Sequence, residues 1–169
     1  MHIASKIISY DEAKKIAKDL HVRGKKIVFK TGCFDILHVA HARMLAYAKS
    51  CGDVLIIGVG SDETLRALKG SDRPIFPATY RAELLAAFAD VDYVVILDEP
   101  LQGRIDHEKI ISLVRPDYYL LPPDDKALPE KQLMASTYGV SIILKPEIKS
   151  DYANVPVNTS DIIEKLRKL

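Results

Sequence analysis

The most informative part of this chain is residues 26–49, which have the sequence KIVFKTGCFDILHVAHARMLAYAK. The segment begins with an apolar, β-rich run and continues as a helix-length stretch, with Gly32 at the junction. In an open parallel sheet, ligands bind at the carboxyl ends of the strands, next to the helices that follow them. The junction therefore predicts where a binding site would lie.

Similar apolar runs alternate with amphipathic stretches along the rest of the chain. The runs predict five strands, at residues 26–31, 54–60, 93–97, 118–121 and 141–144. The other stretches predict helices at residues 11–23, 38–50, 80–89, 105–114, 129–138 and 159–169. This alternation is typical of an α/β fold. We therefore expect a Rossmann-like, doubly wound parallel sheet of five strands, in the order 3-2-1-4-5, with helices on both faces.

The size and composition of the chain fit one domain. It has 169 residues, of which 48% are hydrophobic and 28% charged, and this is enough apolar material for one well-buried core. We expect a single domain over residues 1–169, with the helix within residues 1–23 appended to it.

The charge balance limits the classes of partner. Lys and Arg total 24 against 23 Asp and Glu, a formal net charge of +1, so neither nucleic acid nor an anionic membrane is expected as a partner. Any anion would have to be bound by a local site. Cys33 and Cys51 are too few for a disulfide scaffold, and the N-terminal residues contain no long apolar segment. We therefore expect a soluble, cytoplasmic protein.

Two histidines follow the first strand. His38 and His41 are three residues apart, which places both imidazoles on one side of the first turn of a helix, beside its free N–H groups and positive dipole end. This arrangement can bind phosphate. Structural or surface histidines, or a metal site with Cys33, are the alternatives. No GxGxxG, Walker lysine or HExxH motif is present, which argues against dinucleotide oxidoreduction, P-loop chemistry and a zincin site.

Further motifs extend this pattern and point to a family. Residues 31–49 resemble the signature of the nucleotidyltransferases of the cytidylyltransferase-like superfamily, Thr or Cys followed by F-D-x-x-H-x-G-H. LKGSDRP at residues 68–74 and YRAELL at residues 80–85 match the family's Lys-Gly-x-x-Arg-Pro loop and following Arg. NTSDII at residues 158–163 stands where the family has a Ser-Thr-Thr-x-x-Ile helix start. Residues 51–95 resemble the adenylyltransferase domain that acts on heptose 1-phosphate in lipopolysaccharide core synthesis and, more loosely, glycerol-3-phosphate cytidylyltransferase.

The resemblance implies roles for individual residues. It gives catalytic roles, holding the triphosphate or offsetting its charge, to His38, His41, Lys69 and Arg73. It gives nucleotide binding to Thr31, Gly32, Cys33, Phe34, Asp35, Asp125, Thr159 and Ser160. Among these, Asp35 would brace its loop. The resemblance also gives substrate binding to Arg81. The implied cofactor is Mg²⁺, bound mainly through the nucleotide phosphates.

The implied reaction is nucleotidyl transfer. A phosphorylated small molecule, such as a sugar 1-phosphate, would attack the α-phosphorus of a nucleoside triphosphate, with ATP favoured over CTP, and release pyrophosphate. The residue 68–78 segment, which contains Gly70, Pro74 and Pro77, is predicted to be a loop that closes over the nucleotide. The alternatives are a cytidylyltransferase or a flavin adenine dinucleotide synthase-like enzyme with another acceptor, and a nucleotide-binding relative without turnover. We also consider a homodimer.

Several positions depart from the family pattern. Ala40 replaces the glycine between the two histidines, which adds a methyl group to the phosphate pocket. Pro122 and Pro123 stand where the family has a Lys-Gly-Gly-Asp or Gly-Asp-Asp stretch near the fourth strand, and they remove backbone donors from the base-binding region. Val157 and Asn158 replace an Arg and a Ser before the last helix, which predicts the loss of one phosphate contact.

Overall fold

A computed structural model describes residues 2–146 and 159–168 of the chain. Five parallel strands form one sheet in the order β3-β2-β1-β4-β5. The strands are β1 Ile27–Gly32, β2 Val54–Gly60, β3 Tyr93–Leu97, β4 Tyr118–Leu121 and β5 Ser141–Leu144. The predicted fold class, strand positions and strand order are confirmed.

Helices connect and cover the strands. They are α1 Tyr10–Val22, α2 Val39–Ser50, α3 Asp62–Lys69, α4 Ala78–Ala86, α5 Glu108–Val114, α6 Leu128–Thr137 and α7 Thr159–Arg167, and a 3₁₀ turn at Ile3–Lys6 precedes them. Most begin or end one to three residues from their predicted bounds, the usual uncertainty at helix ends. None of the helices in residues 2–146 and 159–168 combines the length and hydrophobicity that a membrane span needs.

Two apolar layers cover the two faces of the sheet. On one face α1, α5 and α6 pack against the side chains of Phe29 and Tyr119, and on the other α2 and α4 pack against Val28 and Leu55. Successive side chains of a strand alternate between the faces. Lys30 therefore follows Val28 onto the face that α2 covers, and Thr31 follows Phe29 onto the opposite face.

Helix α3 is absent from the sequence prediction and shortens the predicted loop at residues 68–78. The side-chain oxygen of Ser61 accepts a hydrogen bond from the backbone N–H of Thr64 at 3.0 Å and caps the helix. Leu65 anchors the helix in the core, and Gly70, with φ of 103°, ends it. Leu68 and Lys69 are therefore helical, and the loop proper covers residues 70–77.

A chain of buried polar groups crosses the face that α5 covers. Tyr119 Oη lies 2.8 Å from Thr31 Oγ1 and 2.8 Å from His107 Nε2, and His107 Nδ1 lies 3.0 Å from Asp106 Oδ1. When His107 is neutral, its Nδ1 donates to the carboxylate of Asp106 and its Nε2 accepts from Tyr119, which leaves the hydroxyl of Thr31 to donate to Tyr119. These hydrogen bonds connect the carboxyl end of β1 to β4 and to the start of α5.

Replacing Tyr119 with phenylalanine should destabilise the fold. The change leaves the Thr31 hydroxyl and His107 Nε2 buried without their partner, so we expect the free energy of unfolding to fall by about 1–3 kcal/mol. Urea denaturation would measure it. Tyr138→Phe is the matched control, because its hydroxyl donates to the exposed carboxylate of Glu108 and its loss should cost less than about 1 kcal/mol. Equal losses in the two variants would contradict this account.

Candidate active site

A cavity of about 720 Å³ lies where β1 leads into α2. It is lined by Lys30, Thr31, Gly32, Cys33, Phe34, Asp35, His38, Ala40, His41, Met44, Lys69, Arg73, Pro122, Lys145 and Thr159. The carboxyl ends of β1, β4 and β5 and the N-termini of α2 and α7 therefore meet at one site, at the position where parallel α/β sheets bind ligands.

The charge of the cavity differs from that of the whole chain. Four of the lining side chains are cations, Lys30, Lys69, Arg73 and Lys145, and only Asp35 is acidic. The N-terminus of α2 adds unpaired backbone N–H groups and the positive end of a helix dipole. A chain of formal charge +1 thus concentrates positive potential at one place, which suits a polyphosphate.

The loop between β1 and α2 is shaped by Gly32 and Phe34. Phe34 has φ of 51°, a left-handed conformation that is strained for a bulky residue, and its side chain is buried. A Cβ atom on Gly32 would lie 2.9 Å from the Phe34 ring, so only glycine lets the ring fold back over the strand end. The ring also packs at 5.5 Å between centroids on the imidazole of His41. The loop therefore supports the histidine from one side.

The two histidines stack on each other at the start of α2. Their ring centroids are 3.9 Å apart, and the backbone N–H of His38 donates to Nδ1 of His41 at 3.4 Å. This bond assigns the proton of neutral His41 to Nε2. Burial, with smaller contributions from His38, Lys30 and Lys145, lowers the pKa of His41 to about 4, and burial also lowers the pKa of His38. Without a ligand, His41 is therefore a neutral hydrogen-bond donor at pH 7.

Asp35 joins this loop to the one after α3. Its Oδ1 accepts hydrogen bonds from the backbone N–H groups of Ile75 at 2.8 Å and Phe76 at 3.1 Å, and its Oδ2 pairs with Nε of Arg73. Both carboxylate oxygens are thus used inside the protein, as expected for a brace. Nη1 and Nη2 of Arg73 have no partner among the residues that the structure describes, so they stay available to an anion in the cavity.

Arg81 and Asp125 do not line the cavity. Arg81 is completely buried and donates to the carbonyl oxygen of Cys33, to Asp62 and to the carbonyl oxygen of Phe76, so it clamps the loops from behind. The carboxylate of Asp125 pairs with Lys131 and accepts from the N–H of Ala127. Burial raises the pKa of Asp125, but these bonds outweigh it and the net shift is downward. In this structure neither side chain is placed to touch a ligand in the cavity.

The other predicted site residues within the described part of the chain come together there. Thr159 opens α7 and donates from Oγ1 to the carbonyl oxygen of Ile36 at 3.1 Å, which holds α7 beside the β1–α2 loop. The side chain of Ser160, together with Val157 and Asn158, lies outside the described residues. The contacts of the predicted residues with a nucleotide stay predictions.

Two cations of the cavity were missed in the sequence. Lys30 is the only charged residue of β1, and Lys145 is the first residue after β5, on the sheet edge that carries the site. A charge inside a central strand of a sheet that is covered on both faces was the available signal for Lys30. The sequence signal for Lys145 is weaker, because a lysine just after a strand is not unusual. Ala40 and Pro122, two of the departures from the family pattern, also line the cavity.

The side chains around the cavity do not form a metal-binding cage. Within residues 2–146 and 159–168, no group of three or more His, Cys, Asp or Glu side chains is arranged to hold a metal ion. Because Asp35 is fully engaged, the donor set fits a divalent ion that arrives on the phosphates of a nucleotide, as hard cations with few protein ligands often do.

The fold and the site define an α/β domain with an anion-binding cavity, and comparison with known proteins assigns it to a family. The chain belongs to the cytidylyltransferase-like family, whose description matches residues 29–165. It is 41% identical over 161 residues to the bifunctional protein HldE of a Nitratiruptor species, which covers 95% of this chain and 32% of that protein. It is 36% identical over 169 residues to the bifunctional protein HldE of Helicobacter hepaticus, covering 99% of this chain and 31% of that protein. The predicted family resemblance is confirmed, and the chain spans about a third or less of the length of these curated relatives.

Solved structures show the same fold. The lipopolysaccharide core biosynthesis protein from Thermoplasma volcanium GSS1 superposes with a TM-score of 0.63 at 30% identity, covering 75% of this chain and all of that one. Pantoate-beta-alanine ligase from Francisella tularensis, complexed with beta-gamma ATP and beta-alanine, superposes with a TM-score of 0.64 at 17% identity, covering 96% of this chain and 78% of that one. The second likeness concerns the fold alone.

Replacing Asp35 with asparagine should loosen the loop at residues 70–77. The variant loses the charge that holds Arg73 and the amides of Ile75 and Phe76, which is worth about 1.5–3 kcal/mol for bonds to a charged group. Hydrogen exchange of those two amides should accelerate by about ten- to a hundredfold. Asp72→Asn is the control, because Asp72 is exposed and pairs only with Arg167. Unchanged exchange in Asp35→Asn would show that other contacts hold the loop.

Proposed function

We propose that the chain transfers a nucleotidyl group from a nucleoside triphosphate, ATP in preference to CTP, to the phosphate of a small molecule such as a sugar 1-phosphate, with release of pyrophosphate. The observation that carries this proposal is the cluster of four cations and two histidines around one cavity at the N-terminus of α2. Three of these cations, Lys30, Lys69 and Lys145, form no ion pair among the described residues, and a site for a neutral metabolite would have no use for them. The likeness to a lipopolysaccharide core biosynthesis protein supports a sugar phosphate as the acceptor.

The reaction needs no nucleophile from the protein. A phosphate monoester has a second pKa of about 6, so at neutral pH an acceptor oxygen is already deprotonated and attacks the α-phosphorus directly. The bond from the α-phosphorus to the bridging oxygen of the β-phosphate breaks, and pyrophosphate leaves with its electron pair. The protein must bring two anions together and stabilise the charge that builds up on the α-phosphate and the leaving group.

The side chains of the cavity divide this work. His41 donates from Nε2 and, as negative charge develops, takes up a proton more readily, because a nearby anion raises the pKa that burial has lowered. His38 and the free N–H groups of α2 donate beside it. The charge of the leaving pyrophosphate is balanced by Lys69 and Arg73. The start of α7, which carries Thr159 and Ser160, contributes to the same task. Phe34 and Asp35 keep these groups in place without touching the reacting atoms.

Mg²⁺ is the metal ion that we propose for the reaction. It would be held mainly by the phosphates of the nucleotide and would neutralise part of their charge. Among the described residues, the side chains of the cavity contribute positive charge of their own rather than a set of metal ligands.

Replacing His41 with alanine should lower turnover by about a hundredfold or more. The change removes a donor that is already oriented toward the transition-state charge, and an imidazole that touches mainly Phe34 and His38 contributes little to folding. Pyrophosphate release and thermal melting of parent and variant would measure both effects. His21→Ala, on the exposed surface of α1, is the control and should leave turnover unchanged. Parental turnover in His41→Ala would refute the role of this residue.

The preference for ATP over CTP follows the stretches that resemble an adenylyltransferase, and Pro122 and Pro123 oppose it. Pro122 lines the cavity, and its carbonyl oxygen accepts from the N–H of Asp125 at 3.2 Å, so the turn after β4 offers few backbone donors to a base. Calorimetric titration with ATP and CTP in matched Mg²⁺ buffers should give tighter binding of ATP. The gain or loss of one hydrogen bond to the base changes the affinity for the nucleotide by about tenfold. Tighter binding of CTP by that factor would reverse the assignment.

A screen for pyrophosphate release should identify the acceptor. Sugar 1-phosphates are the expected substrates, and glycerol phosphate and flavin mononucleotide stand for the alternative acceptors. ATP binding without pyrophosphate release for any acceptor would favour the non-catalytic relative instead. The homodimer stays a prediction.

A further inference from the structure

Lys30 is a cation in the middle of the central strand. β1 has the sequence IVFKTG, and its neighbours Val28 and Phe29 are completely buried. The alternation of side chains puts Lys30 on the α2 face, and its side chain is half-buried at the wall of the cavity. An apolar residue would suit the packing of this position better, so the lysine calls for a functional reason.

Lys30 has no ion-pair partner among the residues that the structure describes. Its Nζ donates to the carbonyl oxygen of Thr31 at 2.6 Å, and it forms no ion pair within residues 2–146 and 159–168. This partly desolvated ammonium group donates only to a backbone carbonyl, and the nearby carboxylate of Asp125 is already paired with Lys131, so its desolvation cost is not fully compensated. An anionic ligand in the cavity would remove that cost.

A second lysine lies on the same side of the cavity. Lys145 follows β5 directly, is half-buried and likewise makes no ion pair within the described residues. The sheet order puts β4 and β5 on one side of β1 and β2 on the other, and Lys69 and Arg73 follow β2. Both Lys30 and Lys145 also act electrostatically on His41. Lys30 and Lys145 thus form one cationic group beside His41, and Lys69 and Arg73, which follow β2, form a second.

We propose that Lys30 and Lys145 bind the phosphate that stays attached to the nucleoside, while Lys69 and Arg73 serve the pyrophosphate that leaves. This assignment rests on the proposed function and refines it. Two separate cationic groups suit a reaction in which one polyphosphate is split into two anions that must each be held. Neither Lys30 nor Lys145 belongs to the motifs that first indicated the reaction.

The protonation of Lys30 gives the assignment a pH signature. Burial lowers the pKa of Lys30 to about 8. The charged and titratable groups that face it are Lys131 on α6, Asp125 before α6, Cys33 after β1, Lys145 after β5 and His41 on α2. A bound phosphate raises this pKa, so the free protein must take up a proton to bind above pH 8, and affinity falls as the pH rises. The phosphate itself does not titrate in this range, because its second pKa is about 6.

Calorimetric titration of the full chain with adenosine monophosphate and with inorganic pyrophosphate tests the proposal. Lys30→Met should weaken binding of the monophosphate by about tenfold or more at pH near 7, and binding of pyrophosphate by less than about twofold. Lys69→Met should do the reverse. Lys18→Met, on the exposed side of α1, is the control and should change neither. Equal weakening of both ligands in Lys30→Met, or no weakening of the monophosphate, would overturn the assignment.

The conservative variant separates charge from packing. Lys30→Arg stays charged at every accessible pH, so it should keep the affinity for the monophosphate and lose the decline that the parent shows between about pH 7 and about pH 9. A decline of the same size in Lys30→Arg would show that another group titrates. If Lys30→Met fails to fold, Lys145→Met carries the same test, with the same selectivity for the monophosphate expected.

Thermal melting distinguishes a ligand-binding role from a structural one. Removing an unpaired, half-buried charge should leave the melting temperature of Lys30→Met unchanged or raise it. A lower melting temperature together with parental affinity for the monophosphate would mean that Lys30 serves the fold, and would overturn the proposal. Because these measurements need no turnover, they stand apart from the assays of nucleotidyl transfer: a parent that releases no pyrophosphate but shows the selective loss in Lys30→Met would refute catalysis and leave this phosphate site in place.

Discussion

The carboxylate of Asp35 connects the two loops on which the site depends. It is nearly inaccessible to solvent, and it receives two backbone N–H groups and a guanidinium from the segment after α3. Together with Arg81, which donates to the carbonyl oxygens of Cys33 and Phe76, it fixes the loop that carries Arg73 against the loop that carries Phe34. It also partly balances the cations of the cavity, whose mutual repulsion would otherwise oppose folding. One buried carboxylate thus serves both the geometry and the electrostatics of the site.

Much of this architecture follows from the sequence, for physical reasons that individual residues illustrate. Strands β1 to β4 are apolar, mostly buried runs, so their positions could be predicted, and the strand order is one that is typical of doubly wound sheets. Helix α3 was missed because its apolar side consists mainly of Leu65 and the half-buried Leu68. Its other residues are mostly polar, as in a loop. Arg81 was expected at the substrate, since a motif gives the type of a residue but not its depth. The structure buries it as a clamp.

Local and overall charge are independent properties of this chain. Acidic side chains elsewhere neutralise the sum, often in surface pairs such as Lys25 with Asp53 and Arg23 with Asp19, which contribute little to stability. Among the residues that the structure describes, the cations of the cavity other than Arg73 form no ion pair. A protein with this distribution attracts anions at short range, at the cavity, because salt screens the potential farther from it.

The contact between Gly32 and the Phe34 ring has a consequence for how this sequence can diverge. A side chain at position 32 requires a smaller residue at position 34, but a smaller residue at position 34 no longer supports His41. Each single step is therefore harmful, and the compensating double step gives up the support of the histidine. The effects of substitutions at the two positions should therefore be strongly non-additive, as a double-mutant cycle would measure.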